Sequence, residues 1–431
     1  MMVRHRHLVL VFALVSALAT PAAEAGRIVA VGDVHGSFDG LTSILQEAGI
    51  IDADLKWTGG SATYIQLGDL FDRGLQVRET LDFLIRLQAE AEAAGGGVAC
   101  ILGNHEVMNL TGFFRDADPE VYSSFVDAKS EKKRKKLWSA VKNYRGLTGE
   151  PTDDAAMQAW MVEHPLGWAE YAEALEPGGD YGKWLRDLPV AMMIDGSLFI
   201  HGGLSPQTAG MSVAEINDEV AAEMKTFDTA RRYLVSKSIL APTASVVEVG
   251  YAVHALMVEA EKEDSTDLVR RHAEQLKPVS GIDDWLMMSP EGPLWFRGAT
   301  RWDEELQGDE MAALLDGVGA DVMVVGHTPD REGLIRVRFK NRVFLIDTGM
   351  LSSYYTGGRP SALEINGGVF TAIYLNHREV LVDTNVLDKA AVVLPSSTPW
   401  EGMQGTRLCT RRTKLEPGTL SAATGSVSVA R

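Results

Sequence analysis

An apolar run, Thr63-Tyr64-Ile65-Gln66-Leu67, stops in Gly68-Asp69-Leu70-Phe71-Asp72-Arg73-Gly74, a glycine-framed cluster of two carboxylates and one arginine. A strand that ends this way constrains the chain more than any other feature in it. Open α/β sheets hold their ligands just past the carboxyl ends of their strands. Such a cluster suits a metal-binding strand end, with Asp69 placed to bridge two ions. The competing reading is an Asp-Gly turn between a strand and a helix, which is a common connection. Repetition along the chain decides between the two.

The pattern recurs. Arg27-Ile28-Val29-Ala30-Val31 is a continuous apolar strand of the buried type and ends in Gly32-Asp33-Val34-His35-Gly36. Asp33 and His35 are two apart, so in an extended segment they point to one side, and Gly32 and Gly36 let the backbone turn tightly near a ligand. An amphipathic helix follows from Asp39 to a glycine stop at Gly49. After the opening stretch the spacing predicts a helix over Val77 to Ala94, closed by Gly95 to Gly97. The strand Val98 to Leu102 then runs into Gly103-Asn104-His105-Glu106, where Asn104 offers a carbonyl oxygen to a metal and His105 an acidic proton to a leaving group. Val190 to Phe199 reads as a hairpin with Asp195-Gly196 at its turn, leading to His201-Gly202-Gly203. Asp321 to Val325 ends in Gly326-His327-Thr328-Pro329, and Val343 to Ile346 in Asp347-Thr348-Gly349. Val369 to Leu375 and Val380 to Val382 continue as antiparallel strands.

Two long stretches break the pattern. Residues from about 111 to 190 carry Trp138, Tyr144, Trp160, Trp168, Tyr171 and Trp184 at helical spacing, and residues 207 to 290 are rich in Ala, Glu and Val. Both read as helical insertions that pack beside the strand ends as a cap. The basic run Lys129 to Lys136 reads as a solvated helix face rather than an anion site. His254 and His272 occupy ordinary helix positions. Between the second insertion and the next strand, Gly292-Pro293-Leu294-Trp295-Phe296-Arg297-Gly298 offers one arginine able to clamp phosphate oxygens or to form a surface ion pair.

The termini and the charge set the context. Arg4 and Arg6, the apolar Leu8 to Leu18 and Ala23-Glu24-Ala25 read as a secretory signal cleaved after Ala25, with an uncleaved anchor as the alternative. A periplasmic or secreted protein is expected. Residues 389–431, rich in Ser, Thr, Pro and Gly, read as a poorly ordered tail. Cys100 lies in an apolar run and Cys409 in that tail, so Cys100 reads as a small core residue rather than half of a disulfide. The formal charge of −18 argues against nucleic acid as a partner. It does not exclude a phosphate site, because bound cations supply local positive charge. The sequence gives no indication of oligomeric state.

Eight of the ten histidines lie beyond residue 25, and four of them, His35, His105, His201 and His327, directly follow apolar runs beside glycines. So many ionisable groups at one sheet edge are costly to bury unless they are paired or bind metal. The ordered set GDVHG (32–36), GDLFDRG (68–74), GNHE (103–106), HGG (201–203) and GHTP (326–329) resembles the calcineurin-like metallophosphoesterases, and more narrowly the phosphoprotein phosphatases. The segment PLWFRG (293–298) is similar to that of the Shewanella-like phosphatases.

The resemblance covers roughly residues 27 to 385 and implies an α/β fold, a two-sheet β-sandwich flanked by helices. It implies two metal ions, Mn, Fe or Zn, one held by Asp33, His35 and Asp69 and the other by Asp69, Asn104, His201 and His327. His105 would be the general acid, oriented by Asp72. Arg73 and Arg297 would bind phosphate, and Tyr354 or Tyr355 would stand near the site. The reaction implied is hydrolysis of a phosphomonoester by a metal-bridging hydroxide, on phosphorylated Ser, Thr or Tyr of a protein. A small-molecule phosphomonoester and a dinucleoside polyphosphate are the alternative substrates, and a non-enzymatic binding module is the outsider.

Overall fold

The computed structural model describes residues 26–386. The expected signal segment and the whole of the expected tail, with Cys409, lie outside the described residues.

Short apolar runs interrupted by glycine become short strands. Strands β1 (Ile28–Val31), β2 (Thr63–Gln66) and β3 (Gly97–Cys100) run parallel to one another. A second sheet follows, made of β4 (Ala191–Ile194), β5 (Ser197–Ile200), β6 (Val322–Val325), β7 (Arg336–Arg338) and β8 (Val343–Leu345). Its order is β4-β5-β6-β8-β7, with β5, β6 and β8 parallel and the two edge strands antiparallel. The chain then returns to the first sheet through β9 (Ser361–Asn366), β10 (Val369–Tyr374) and β11 (His377–Asp383), giving the order β11-β10-β9-β1-β2-β3. The β4–β5 turn uses Asp195 and Gly196, both at positive φ, as an Asp-Gly hairpin requires.

Alternation along each strand separates two cores. Ile28, Ala30, Ile65, Phe199, Val324, Phe344, Leu363 and Phe370 meet in a layer drawn from both sheets and from no helix. The Phe344 and Phe370 rings stack there at 4.5 Å. The alternate residues Val29, Val31 and Tyr64 face outward onto α1 (Phe38–Glu47) and α2 (Val77–Ala93), through Leu41, Ile44, Leu81 and Leu84. The expected two-sheet sandwich flanked by helices is therefore present.

The third strand-end helix, α3 (Asn104–Leu110), follows β3 and is buried along its whole length. The first insertion folds as α4 (Ser130–Thr148), α5 (Asp154–Glu163), α6 (Trp168–Leu175) and α7 (Asp180–Arg186). The second folds as α8 (Val213–Ser236), α9 (Val246–Ala260) and α10 (Asp267–Leu276). Trp138, Val141 and Trp160 make a small core of their own. Lys133 pairs with Glu173 at 2.9 Å and Lys135 with Glu131 at 3.3 Å, so the basic run is a solvated, ion-paired face. No helix among the described residues is long and apolar enough to cross a membrane.

The structure differs from the sequence reading in three places. Strand 98–102 is shifted to Gly97–Cys100, because residues 101–103 already turn into the site. Strands β7 and β9 were not anticipated: β7 is a three-residue edge reading Arg-Val-Arg, and β9 is the central partner of β1 despite its polar ends. Gly32 does not make room for a ligand. A Cβ there would meet the Ile346 carbonyl oxygen at 2.7 Å, so it is the neighbouring strand that demands glycine.

Candidate active site

Six loops converge, each at the carboxyl end of a parallel strand: three from β1, β2 and β3, and three from β5, β6 and β8. Backbone bonds lock them together. Val34 and His35 N–H donate to the Asp69 carbonyl at 3.1 and 2.8 Å, and the Gly326 N–H to the His201 carbonyl at 3.0 Å. Gly74 lies so close to the first loop that a Cβ would meet the His35 carbonyl oxygen at 2.2 Å, and one on Gly103 would meet Asp69 Oδ1 at 2.3 Å. His35, Asp69, Asp72, Arg73 and His327 all sit at φ between 48° and 69°. Non-glycine residues pay a strain of about 1–3 kcal/mol each in that region, and such residues cluster at functional sites.

Second partners set the imidazoles. His35 Nδ1 faces the Phe71 carbonyl at 2.8 Å, and His201 Nδ1 the Leu67 carbonyl at 2.7 Å. His327 uses its other nitrogen, Nε2, on the Trp295 carbonyl at 3.0 Å. A carbonyl only accepts, so each of these nitrogens carries the proton and leaves a lone pair on its opposite side. His201 Nε2 lies 3.0 Å from Asn104 Oδ1 and 3.3 Å from Asp69 Oδ1, and against burial the Asp69 carboxylate raises its affinity for a proton. The lone pair of His35 Nε2 points among Asp69 Oδ2 at 3.6 Å and Asp33 Oδ2 at 3.8 Å. Side chains gathered in this way could hold a metal ion. Ligand atoms of Asp69, His201 and His327 lie within 4.8 Å of one another, as do those of His35, Asp69 and His105. Asp69 belongs to both groups.

Electrostatics agree with that division. Burial pushes His35 down to about 3 and His327 well below its ordinary value, which keeps them neutral and able to ligate. Burial disfavours the Asp69 carboxylate, yet His201 and His105 overcome it and hold it well below the usual range. Asp33 is raised by burial and by Asp347 beside it. Asp347, pushed up to about 6 by burial, has Oδ2 buried with no hydrogen-bond partner among the described residues. Asp33 Oδ1 accepts the His327 N–H at 2.9 Å and so ties the two sheets together.

His105 is treated differently. Its Nδ1 meets Asp72 Oδ2 at 2.5 Å. Burial lowers its affinity for a proton, but Asp69 and Asp72 outweigh burial and raise it. His105 falls within one ligand-atom group, but its Nδ1 is engaged by Asp72 and its proton affinity is raised, while Asp33 Oδ2 lies 3.8 Å from His35 Nε2 beside the same group. Arg73 reaches over the site: its Nη2 lies 3.0 Å from His105 Nε2, and its Nη1 is hydrogen-bonded to His35 Nε2 and to the Tyr355 hydroxyl. Tyr355 is thus the tyrosine at the site, while Tyr354 is 60% exposed. Arg297 Nη1 donates to the His327 carbonyl at 2.9 Å and to Thr328 Oγ1 at 2.7 Å, which holds its guanidinium at the rim beside the second group.

All ten residues singled out from the sequence are therefore brought together: Asp33, His35, Asp69, Asp72, Arg73, Asn104, His105, His201, Arg297 and His327. His254 is exposed and His272 is bonded to the Tyr233 hydroxyl, away from the site. Sequence reasoning gave no role to Glu106. Its buried carboxylate accepts the N–H groups of Asp69 (2.8 Å), Leu70 (2.7 Å) and Gly103 (2.6 Å), clamping two loops. The signal was available, since an acid three residues after a helix start reaches back to the cap. Asp347, Asn109 and Tyr171 were also passed over.

The calcineurin-like phosphoesterase family model matches residues 26–331. A Shewanella-like protein phosphatase 1 of Plasmodium berghei is 27% identical over 354 residues, 81% of this chain and 74% of that protein. A Shewanella-like protein phosphatase 2 of Arabidopsis thaliana is 34% identical over 211 residues, 48% of this chain and 53% of its own length. Among solved structures, a cold-active protein-tyrosine phosphatase of a psychrophilic Shewanella species has a similar fold, with a TM-score of 0.51 at 22% identity, covering 83% of this chain and 80% of that one. With the family model matching most of its length, this chain belongs to the calcineurin-like phosphoesterases, a family of metal-dependent hydrolases.

Proposed function

We propose that the protein is a phosphomonoesterase that uses two metal ions and acts on phosphorylated protein. The observation that carries this is the pairing of His105 with Asp72 directly beside two ligand groups that share Asp69. The residues fit the ions: imidazole nitrogens, carboxylate oxygens and one amide oxygen converge at the two groups. Asp33, His35 and Asp69 would hold one ion, and Asp69, Asn104, His201 and His327 the other. Such ligands suit Mn, Fe or Zn. Bound there, the pair supplies Lewis acidity and an acidified water.

The chain's own residues do the rest. Asp72 keeps the His105 Nδ1 proton engaged, so Nε2 is the nitrogen that delivers a proton to the leaving oxygen. Arg73 and Arg297 flank the ligand groups from opposite loops and receive charge that builds on the phosphoryl oxygens. The Tyr355 hydroxyl orients Arg73. A cleft lined by Met288, Trp295, Phe296, Arg297 and Trp302 opens beside Arg297, and its aromatic walls suit the leaving-group side of an aryl phosphate. The names of the Plasmodium and Shewanella proteins, protein phosphatases both, support a protein substrate. The two insertions, placed between ligand-bearing loops, are assigned the choice of substrate, and export is part of the same proposal.

The test is phosphate release by the purified, Mn-supplied protein from phosphotyrosine, phosphoserine and phosphothreonine peptides, a small aryl phosphate and diadenosine tetraphosphate. Preference for one peptide class is the expected result. Fast turnover of the dinucleotide or the small ester with slow turnover of every peptide would overturn the assignment of substrate. His105→Asn is expected to slow alkyl phosphates more than p-nitrophenyl phosphate, and an equal loss on both would remove the general acid.

A further inference from the structure

We infer that Asn109 and Tyr171 are positioning residues for the acid: the Tyr171 hydroxyl, carried by the first helical insertion, fixes the Asn109 amide that in turn fixes Asp72 under His105. The inference rests on His105 being the proton donor proposed above.

Asn109 lies four residues after His105 in α3, so both side chains share one helix face. Its Nδ2 donates to Asp72 Oδ1 and Oδ2, at 3.1 Å each, and to the His105 carbonyl at 2.9 Å. An amide nitrogen has two protons. One is shared by the two carboxylate oxygens and the other goes to the carbonyl, so the nitrogen end of Asn109 is fully used. The opposite flip would set the amide oxygen against a buried carboxylate. What selects the flip is at the other end, where the Tyr171 hydroxyl donates to Asn109 Oδ1 at 2.5 Å. Tyr171 and Asn109 are each 1% exposed, Asp72 2% and His105 3%, so no water competes along the chain of bonds. Burial, reinforced by the Asp72 charge, raises the Tyr171 hydroxyl and keeps it a donor.

The Tyr171 ring is held independently of its hydroxyl. It meets Phe125 at 5.0 Å, Phe114 and Tyr122 at 5.2 Å and Phe71 at 6.4 Å, all edge to face. Tyr171→Phe therefore keeps the packing and removes one hydrogen bond. The consequence should appear where the acid matters. A carboxylate behind a histidine acts by holding its tautomer and orientation, so a loosened Asp72 costs rate on esters whose leaving oxygen needs a proton.

The experiment compares the wild type, Tyr171→Phe, Asn109→Leu, the double variant and His105→Asn, with p-nitrophenyl phosphate and an alkyl phosphate as substrates. Metal content and thermal midpoint are read for each protein. Tyr171→Phe is expected to lower kcat on the alkyl ester roughly tenfold, a fraction of the ~10²–10⁴ that a positioned acid supplies. The loss on p-nitrophenyl phosphate should stay within about threefold at unchanged KM and metal content. In the Asn109→Leu background the Tyr171→Phe change should add nothing, because the hydroxyl acts through Asn109. Equal losses on both esters, no loss on either, or independent and additive effects would overturn the inference. Should Asn109→Leu fail to fold, the leaving-group comparison for Tyr171→Phe decides alone. If His105→Asn itself does not discriminate between the esters, the acid assignment fails. If it does and Tyr171→Phe does not, only the positioning role fails.

Discussion

Glu106 is where a single atom exchange tests how the metal loops are held. Its carboxylate is fully buried and takes three backbone donors, with Oε2 on the Asp69 and Gly103 N–H groups and Oε1 on the Leu70 N–H. In Glu106→Gln the amide oxygen can keep the two bonds at the Oε2 side, and the amide nitrogen must then face the Leu70 N–H. One buried donor is left unpaired, at about 1–3 kcal/mol, and two charge-assisted bonds become neutral ones, at about 1 kcal/mol each. Against this stands the buried charge, which burial and the neighbouring Asp69 oppose strongly enough to push the carboxyl up to about 7. The net expectation is a destabilisation of roughly 2–4 kcal/mol. The local effect should be larger than the global one. Asp69 sits at φ 51°, a strained position that the Glu106 bond to its N–H helps to maintain. Urea unfolding with metal chelated measures the first effect, and metal analysis of the purified variant measures the second. A loss under about 1 kcal/mol with full metal content would refute the clamp.

Asp69→Asn should deplete both ions together, because Asp69 belongs to both ligand groups, and metal analysis showing one site fully retained would exclude the sharing. Tyr355→Phe should lower kcat/KM about tenfold by releasing Arg73, whereas Tyr354→Phe, at an exposed ring, should stay within about twofold in steady-state kinetics. Glu223 in α8 accepts the Leu286 and Met287 N–H groups at 2.7 and 2.9 Å, and burial pushes its carboxyl up to about 7. The folded protein holds that proton more tightly than the unfolded chain, so its contribution is intact at low pH and declines as pH rises from about 4.3 to about 7, with roughly 2–3 kcal/mol of the decline falling above pH 5. Urea unfolding at pH 5 and pH 8 should show that decline in the wild type and not in Glu223→Gln, and parallel profiles would contradict it.

The site was legible in the sequence because its chemistry sits in the loops and each loop follows an apolar strand. Asp33, His35, Asp69, Asn104, His201 and His327 each stand within a few residues of an apolar run and beside glycines, a juxtaposition visible without coordinates. The strands were legible for the same reason, apart from β7 and β9, whereas their division into two packed sheets is implied only by the family resemblance. In β7 the edge position tolerates Arg336 and Arg338, and in β9 Ser361 and Asn366 blur the apolar signal that Leu363 and Ile365 carry. Asn109 and Tyr171 escaped for a different reason. Each acts on an atom far away in sequence, Asn109 on Asp72, 37 positions earlier, and Tyr171 on Asn109, 62 positions earlier. Tyr171 read as one more aromatic at helical spacing, and its ring is indeed that, packed among four others. Only its hydroxyl belongs to the site. The residues a sequence reveals are those whose neighbours in the chain share their purpose. The residues that set angles and tautomers are chosen by distance in space, and here they tie an inserted helix, the DRG loop and the start of α3 into one hydrogen-bonded unit.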